Sequence, residues 1–123
     1  TGIEKHEDPN SLDIPKVIFT KDKRLVYISR KALPGFKDPK NQPLIYYKQV
    51  CIYAFNREEL MLFGRSGAKS VLENSEDIEI LRFLDLKKTI HVVKTKSGSL
   101  AVDTPKDVEK VEKILRTKSH KVF

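Results

Sequence analysis

The chain has 123 residues and a mass of 14.2 kDa, with 39% hydrophobic and 33% charged residues, one cysteine and no tryptophan. This is one globular domain, large enough for a core and too short for a second one. Lys plus Arg number 24 against 17 Asp plus Glu, and the net charge of +7 favours anionic partners, although solubilising surface lysines give the same balance. No block is denser than Lys21-Asp22-Lys23-Arg24, so a nucleic-acid partner is not expected. A single cysteine excludes an internal disulfide, and no apolar run approaches the ~18 residues of a membrane span. No basic segment leads into an apolar one at the start, so the expectation is a soluble, unexported, cytoplasmic protein with no membrane partner.

Residues 1–14 are polar, carry the turn chemistry Asp8-Pro9-Asn10-Ser11 and read as a flexible lead-in; with Thr1 in place of Met, they suggest a cut-down chain. Lys16-Val17-Ile18-Phe19-Thr20 and Arg24-Leu25-Val26-Tyr27-Ile28-Ser29 are β-branched and aromatic runs separated by three residues, the signature of a β-hairpin. Three prolines between Ala32 and Leu44 exclude helix and central strand and imply a mobile surface loop. Gln49–Phe55 is a continuous apolar run of strand length, which predicts a strand buried on both faces with Cys51 as a buried thiol. Asn56, followed three residues later by Glu59, caps a helix whose buried side is Leu60, Met61, Leu62 and Phe63 and which Gly64 and Gly67 end.

Ser75-Glu76-Asp77-Ile78 predicts the start of a second helix, with carboxylates in its first turn and Ile78, Ile80, Leu81, Phe83 and Leu84 on its apolar side. Thr89–Val93 reads as a strand, Lys96–Ser99 as a turn and Leu100–Val102 as a short strand running into a helix. That helix has Thr104 as cap, Pro105 at its first position and Asp107 closing a capping box. Val108, Val111, Ile114 and Leu115 share one of its faces. Arg116 to Phe123 is a polar tail, flexible from residue 117. Strands alternating with helices give an α/β class, as one domain over 1–123 with a β-hairpin excursion.

The chain carries no Gly-rich phosphate loop, no Cys or His cluster with metal spacing and no Gly-x-Ser-x-Gly elbow. It has no self-contained catalytic motif. His6, His91 and His120 are isolated and read as structural or surface residues. Asp103 is different, because it ends a buried strand just before a helix N-terminus. A carboxylate there either caps the helix or holds Mg²⁺ against phosphate oxygens. Arg30, after an apolar strand, offers a planar fork to a carboxylate or phosphate, or else forms a solvated ion pair. Glu79 and Arg82, one turn apart, can pair with each other.

Taken in order, several segments resemble the C-terminal half of the CMP-Kdo synthetases (3-deoxy-manno-octulosonate cytidylyltransferases), within the wider acylneuraminate cytidylyltransferase family. They are Asp8-Pro9-Asn10 with Lys16-Val17, Leu25-Val26-Tyr27-Ile28-Ser29-Arg30, Ile52-Tyr53-Ala54-Phe55, Glu76–Arg82, and Ala101-Val102-Asp103-Thr104-Pro105 with the helix after it. The resemblance implies part of a Rossmann-like, nucleotide-diphospho-sugar transferase-like fold. It also implies an enzyme that joins CTP to an acidic 2-keto sugar, with Mg²⁺ as cofactor, releasing pyrophosphate. Position by position, it implies that Asp103 binds metal, that Tyr53 and Glu79 contact the sugar, and that Arg30 stands at the pocket edge. The hairpin over 16–29 is implied as the segment through which a homodimer forms.

Two positions depart from the family pattern near the sugar: Gln49 stands where His is common, and Ile80 where Gln is common. An amide can still donate a hydrogen bond; Ile80 cannot replace a polar contact. These departures widen the implied acceptor from Kdo to a related ulosonic acid. The family's N-terminal half, with its basic CTP-phosphate loop and other metal-binding aspartate, has no counterpart in these residues, so no catalytic residue is assigned and the isolated chain is expected to be inactive. The competing reading is a non-catalytic homodimerising or anion- or nucleic-acid-binding module, whose binding falls steeply with salt and ignores CTP.

Overall fold

The structure, a computed structural model, describes residues 1–3, 5, 7–96, 102 and 105–119. The predicted hairpin is present. Strands β1 (Lys16–Phe19) and β2 (Leu25–Ser29) pair antiparallel, with Lys16 opposite Ser29 and Val17 opposite Ile28, and the register shifts at Phe19. The turn closes through Lys23 in the left-handed region (φ 66°), whose amide donates to Thr20 O at 2.9 Å. Leu25 and Ile28 turn inward and Val26 outward. The proline-rich loop contains one three-residue 3-10 turn, Pro39–Asn41, started by the Asp38 side chain accepting from the Lys40 amide.

The hairpin is flanked on both sides by extended chain. Val17 N donates to Tyr47 O at 2.8 Å, and Leu25 N donates to Ile90 O at 2.7 Å. The segment read as the strand Thr89–Val93 makes a single bridge, Arg24 to His91, not a ladder. The beginning of the chain is not loose: Ile3 N donates to Tyr46 O and Lys48 N to Thr1 O, both at 2.7 Å, so residues 1–3 run as a further antiparallel partner.

Helix α1 (Arg57–Arg65) starts as predicted, with Asn56 Oδ1 accepting from Glu59 N at 2.8 Å. It runs through Gly64 and stops before Gly67, which supplies the positive φ of 71°. No α1 residue is fully buried, and Leu60 and Met61 face outward. The second helix differs from expectation. Helix α2 (Val71–Glu76) is opened by Ser70, whose hydroxyl accepts from Glu73 N while the Glu73 carboxylate accepts from Ser70 N, a complete capping box. Ser75 and Glu76 thus lie in its last turn, and Asp77 (φ 52°) ends it in the left-handed conformation. A separate short helix, α3 (Leu81–Asp85), follows. Helix α4 (Pro105–Ser119) begins at the predicted proline and continues past Arg116, where the tail was expected. Its stripe of Val108, Ile114 and Leu115 is exposed. The Ser97–Ser99 turn, the Leu100-Ala101 strand, Asp103, the Thr104 cap, His6 and His120 lie outside the described residues.

The core forms where the hairpin meets the α2–α3 corner: Leu25 and Ile28 from β2, Ile78 and Ile80 from the connection, and Leu81 and Phe83 from α3. The reading of 49–55 as a doubly buried strand is corrected. Among the described residues, ladder bonds to this stretch stop at Gln49 N, which donates to Pro15 O at 3.0 Å. Residues 51–56 are exposed, Ile52 at 84%, and so is the Cys51 thiol. A buried strand needs an edge on which to satisfy its amides and carbonyls, and no described strand offers one here. At the other extreme Leu81 is 0% exposed, at the centre of the core. Leu81→Ala is expected to cost about 3 kcal/mol, lost transfer energy plus cavity, read as a lowered urea midpoint with an unchanged slope.

Candidate functional site

The end of β2 is fastened to the end of α2 by one carboxylate. Glu76 accepts from the Arg30 amide (Oε2, 2.8 Å), the Ser29 hydroxyl (Oε1, 2.8 Å) and the Tyr27 hydroxyl (Oε1, 3.3 Å). Burial pushes the Glu76 pKa up, but the bonds from Arg30, Ser29 and Tyr27 outweigh it and hold the carboxyl below its usual range. The Arg30 guanidinium lies over the same helix end: Nε donates to Glu76 O at 2.6 Å, Nη1 to Leu12 O at 2.9 Å and Nη2 to Asp77 O at 3.3 Å. A cation at a helix C-terminus faces the negative end of the dipole. Arg30 is thus engaged with main-chain carbonyls. Beneath it Lys16, 0% exposed, donates Nζ to Ser11 O at 2.7 Å and to Arg30 O, and burial lowers its pKa.

A second buried charge organises the opposite end of α2. Arg82 grips Glu73 with Nε and Nη2, the latter 2.6 Å from Oε1, so the pairing of Arg82 with Glu79 read from the sequence is replaced by one with Glu73. The Glu73 carboxyl is 1% exposed, and the Arg82 bonds hold its pKa down. Sequence spacing could not nominate this pair, because nine residues and a chain reversal separate its members. The Arg82 guanidinium also lies 3.9 Å from the centre of the Phe63 ring.

Of the sequence-nominated residues, the structure brings three together. Tyr53 and Glu79 stand on the wall of an apolar cleft of about 280 Å³ otherwise lined by Phe55, Leu60, Phe63, Ile80 and Phe83. The Gln49 amide Nε2 donates to the Tyr53 hydroxyl, and Gln49 Oε1 is buried without a partner. Burial, then Cys51, then Glu79 push the Tyr53 phenol up to about 12, so at neutral pH it keeps its proton. Gln49 and Tyr53 also line a second, larger concavity of about 410 Å³ against the hairpin, with Leu25, Ile28 and Ile90. Ile80, the departure from the family pattern, is a core residue whose side chain reaches both cavities. Arg30 lines neither of them, and Asp103 lies outside the described residues. Among the described residues no group of three His, Cys, Asp or Glu side chains is placed to hold a metal ion, and no helix is long and apolar enough to cross a membrane.

The backbone superimposes on a solved structure of CMP:2-keto-3-deoxy-manno-octonic acid synthetase complexed with CTP, with a TM-score of 0.79 and 27% identity, covering 95% of this chain and 47% of that one. The fold is therefore the α/β fold of a CMP-sugar synthetase. No protein-family model matches the chain. In sequence it is 37% identical over 115 residues to the 3-deoxy-manno-octulosonate cytidylyltransferase of Christiangramia forsetii, covering 94% of this chain and 46% of that protein. It is 36% identical over 124 residues to the enzyme of the same name from Geobacter metallireducens, covering 93% and 48%. The chain is thus similar to 3-deoxy-manno-octulosonate cytidylyltransferases over nearly its whole extent and spans about half their length.

Glu73 and Glu76 both have folded pKa values below the ordinary 4.5, so their contribution to stability is complete above pH 4.5 and is lost as pH falls through the lower folded values. Urea unfolding is expected to give a flat midpoint from pH 7 to about 5.5 and a falling one below about 4.5. Equal midpoints at pH 7 and pH 3 would contradict the two carboxylate nodes.

Proposed function

We propose that this chain is the C-terminal, sugar-binding and dimerising half of a cytidylyltransferase that transfers CMP from CTP to Kdo or a related ulosonic acid. The observation that carries the reading is the match over 94% of the chain to a protein bearing that activity in its name. In the reaction the anomeric hydroxyl of the sugar attacks the α-phosphate of CTP, a P–O bond to the sugar forms, and the bond to the leaving pyrophosphate breaks. Positioning and electrostatics supply most of such catalysis.

The cleft beside Gln49, Tyr53 and Glu79 is the proposed place of the acidic sugar. Tyr53, kept protonated by a pKa of about 12, donates a hydrogen bond there, and the exposed Glu79 carboxylate accepts one from a sugar hydroxyl. A hydroxyl reaching Gln49 Oε1 satisfies an acceptor that is otherwise buried unpaired. Arg30 is proposed at the edge of this region, with its main-chain bonds fixing its position. The exposed outer face of the hairpin, with Val26, is proposed as the homodimer contact, and the compartment as the cytoplasm.

Mg²⁺ is proposed as the cofactor with Asp103 as a ligand. The described residues make no metal centre of their own, so the ion draws on the nucleotide, water and the rest of the enzyme; bound there it would neutralise phosphate charge. The 123-residue chain alone is expected to form no CMP-sugar. In the complete enzyme, Asp103→Asn should lower metal-dependent turnover by at least about a hundredfold without changing the melting curve. Near-normal turnover in that variant removes Asp103 from the mechanism, and CMP-sugar made by the isolated chain overturns the half-enzyme reading.

A further inference from the structure

Three phenylalanine rings lie one on the next across the cleft. Phe55 stacks on Phe83 with centroids 5.1 Å apart, and Phe83 stacks on Phe63 at 5.2 Å, each pair tilted by 21°. The Arg82 guanidinium lies over the Phe63 ring, 3.9 Å from its centre, and is itself fixed by two bonds to buried Glu73. At the near end, the Tyr53 ring sits 6.0 Å from Phe55. Among the described residues the main chain around Tyr53 makes no ladder bond: the last is at Gln49, and regular structure resumes only with the Asn56 cap. Between those points Phe55 is laid on a buried ring whose own position is set by a buried ion pair.

We infer that the Phe55–Phe83–Phe63 stack, backed by Arg82 and Glu73, is the positioning element that sets where Tyr53 stands in the cleft it shares with Glu79. The stack adds side-chain packing where the described residues offer no main-chain pairing. Offset-stacked rings gain about 0.5–1.5 kcal/mol per pair beyond the area they bury, and they restrict orientation as well as distance. A guanidinium held in a bidentate grip cannot turn off the Phe63 face, so the inner end is rigid. The consequence for sugar affinity rests on the function proposed above; the positioning of Tyr53 does not.

The test uses the 123-residue chain labelled with 3-fluorotyrosine, which gives four fluorine resonances, with Tyr53→Phe assigning the one that matters. Phe55 is partly exposed, so Phe55→Leu keeps an apolar side chain against Phe83 without replacing a buried core residue. The Tyr53 resonance is expected to move to the position of the residue in a short peptide while the other three stay, and Phe55→Trp should restore it. An unmoved Tyr53 resonance in Phe55→Leu overturns the inference. Phe83→Leu should act in the same way; if it fails to fold, Phe55→Leu alone decides. In the complete enzyme Phe55→Leu should raise KM for the acidic sugar about tenfold against an unchanged KM for CTP, the cost of a misplaced contact; equal rises for both substrates count against positioning. If the resonance moves as expected yet neither protein binds a 2-keto acid, the sugar-site reading falls and the positioning role stands.

Discussion

Everything in this fold hangs on the junction between a hairpin and a helix end, and that junction is made by one carboxylate. Glu76 accepts hydrogen bonds from three donors at the end of β2 or just after it: the Tyr27 hydroxyl, the Ser29 hydroxyl and the Arg30 amide. The Arg30 guanidinium then returns to the carbonyls of Glu76 and Asp77. Each partner satisfies the other's buried polar groups, which is the condition under which such groups stabilise rather than cost. With the hairpin fixed there, Leu25 and Ile28 meet Ile78, Ile80 and Leu81, and the core closes. The cleft of Tyr53 and Glu79 opens on the outer side of this core, so its geometry inherits the junction's.

How much of this was legible from residues alone depends on the range of the interaction. Local signals read well: the β1–β2 hairpin, the Asn56 cap of α1 and the proline start of α4 are each decided within a few residues. The second helix went wrong because two capping signals compete within a few positions. Ser70 with Glu73 forms a reciprocal box, whereas Ser75 has Ile78 at the third position and cannot close one, and Glu76 and Asp77 are bound by Arg30 and Lys69 instead. The Glu73–Arg82 pair and the Arg30–Glu76 junction were invisible because their partners are distant in sequence. Of the site, Gln49, Tyr53 and Glu79 were nominated through a family resemblance, and the structure brings them together. Neither composition nor periodicity pointed to them.

The stretch Gln49–Phe55 is where sequence and structure part most clearly, and the reason is physical. Its composition is that of a strand buried on both faces, yet the described residues give it no edge to pair with beyond Gln49. The chain spans about half the length of its relatives, and an apolar run this exposed is a surface suited to being covered. Within the chain, Phe55 on Phe83 does part of what a neighbouring strand does for a buried one. That arrangement places Tyr53 at the border of both cavities, facing Glu79 on one side and the hairpin on the other.

Urea unfolding of Glu76→Gln at pH 7 is the sharpest check that the hairpin is held to the helical layer through Glu76. The amide keeps the shape of the side chain but loses the charge and places a donor where one carboxylate oxygen accepted. The expected loss is on the order of 2 kcal/mol, the scale of hydrogen bonds to an ionised group. A change within about 0.3 kcal/mol, the range of an ordinary surface substitution, would contradict it.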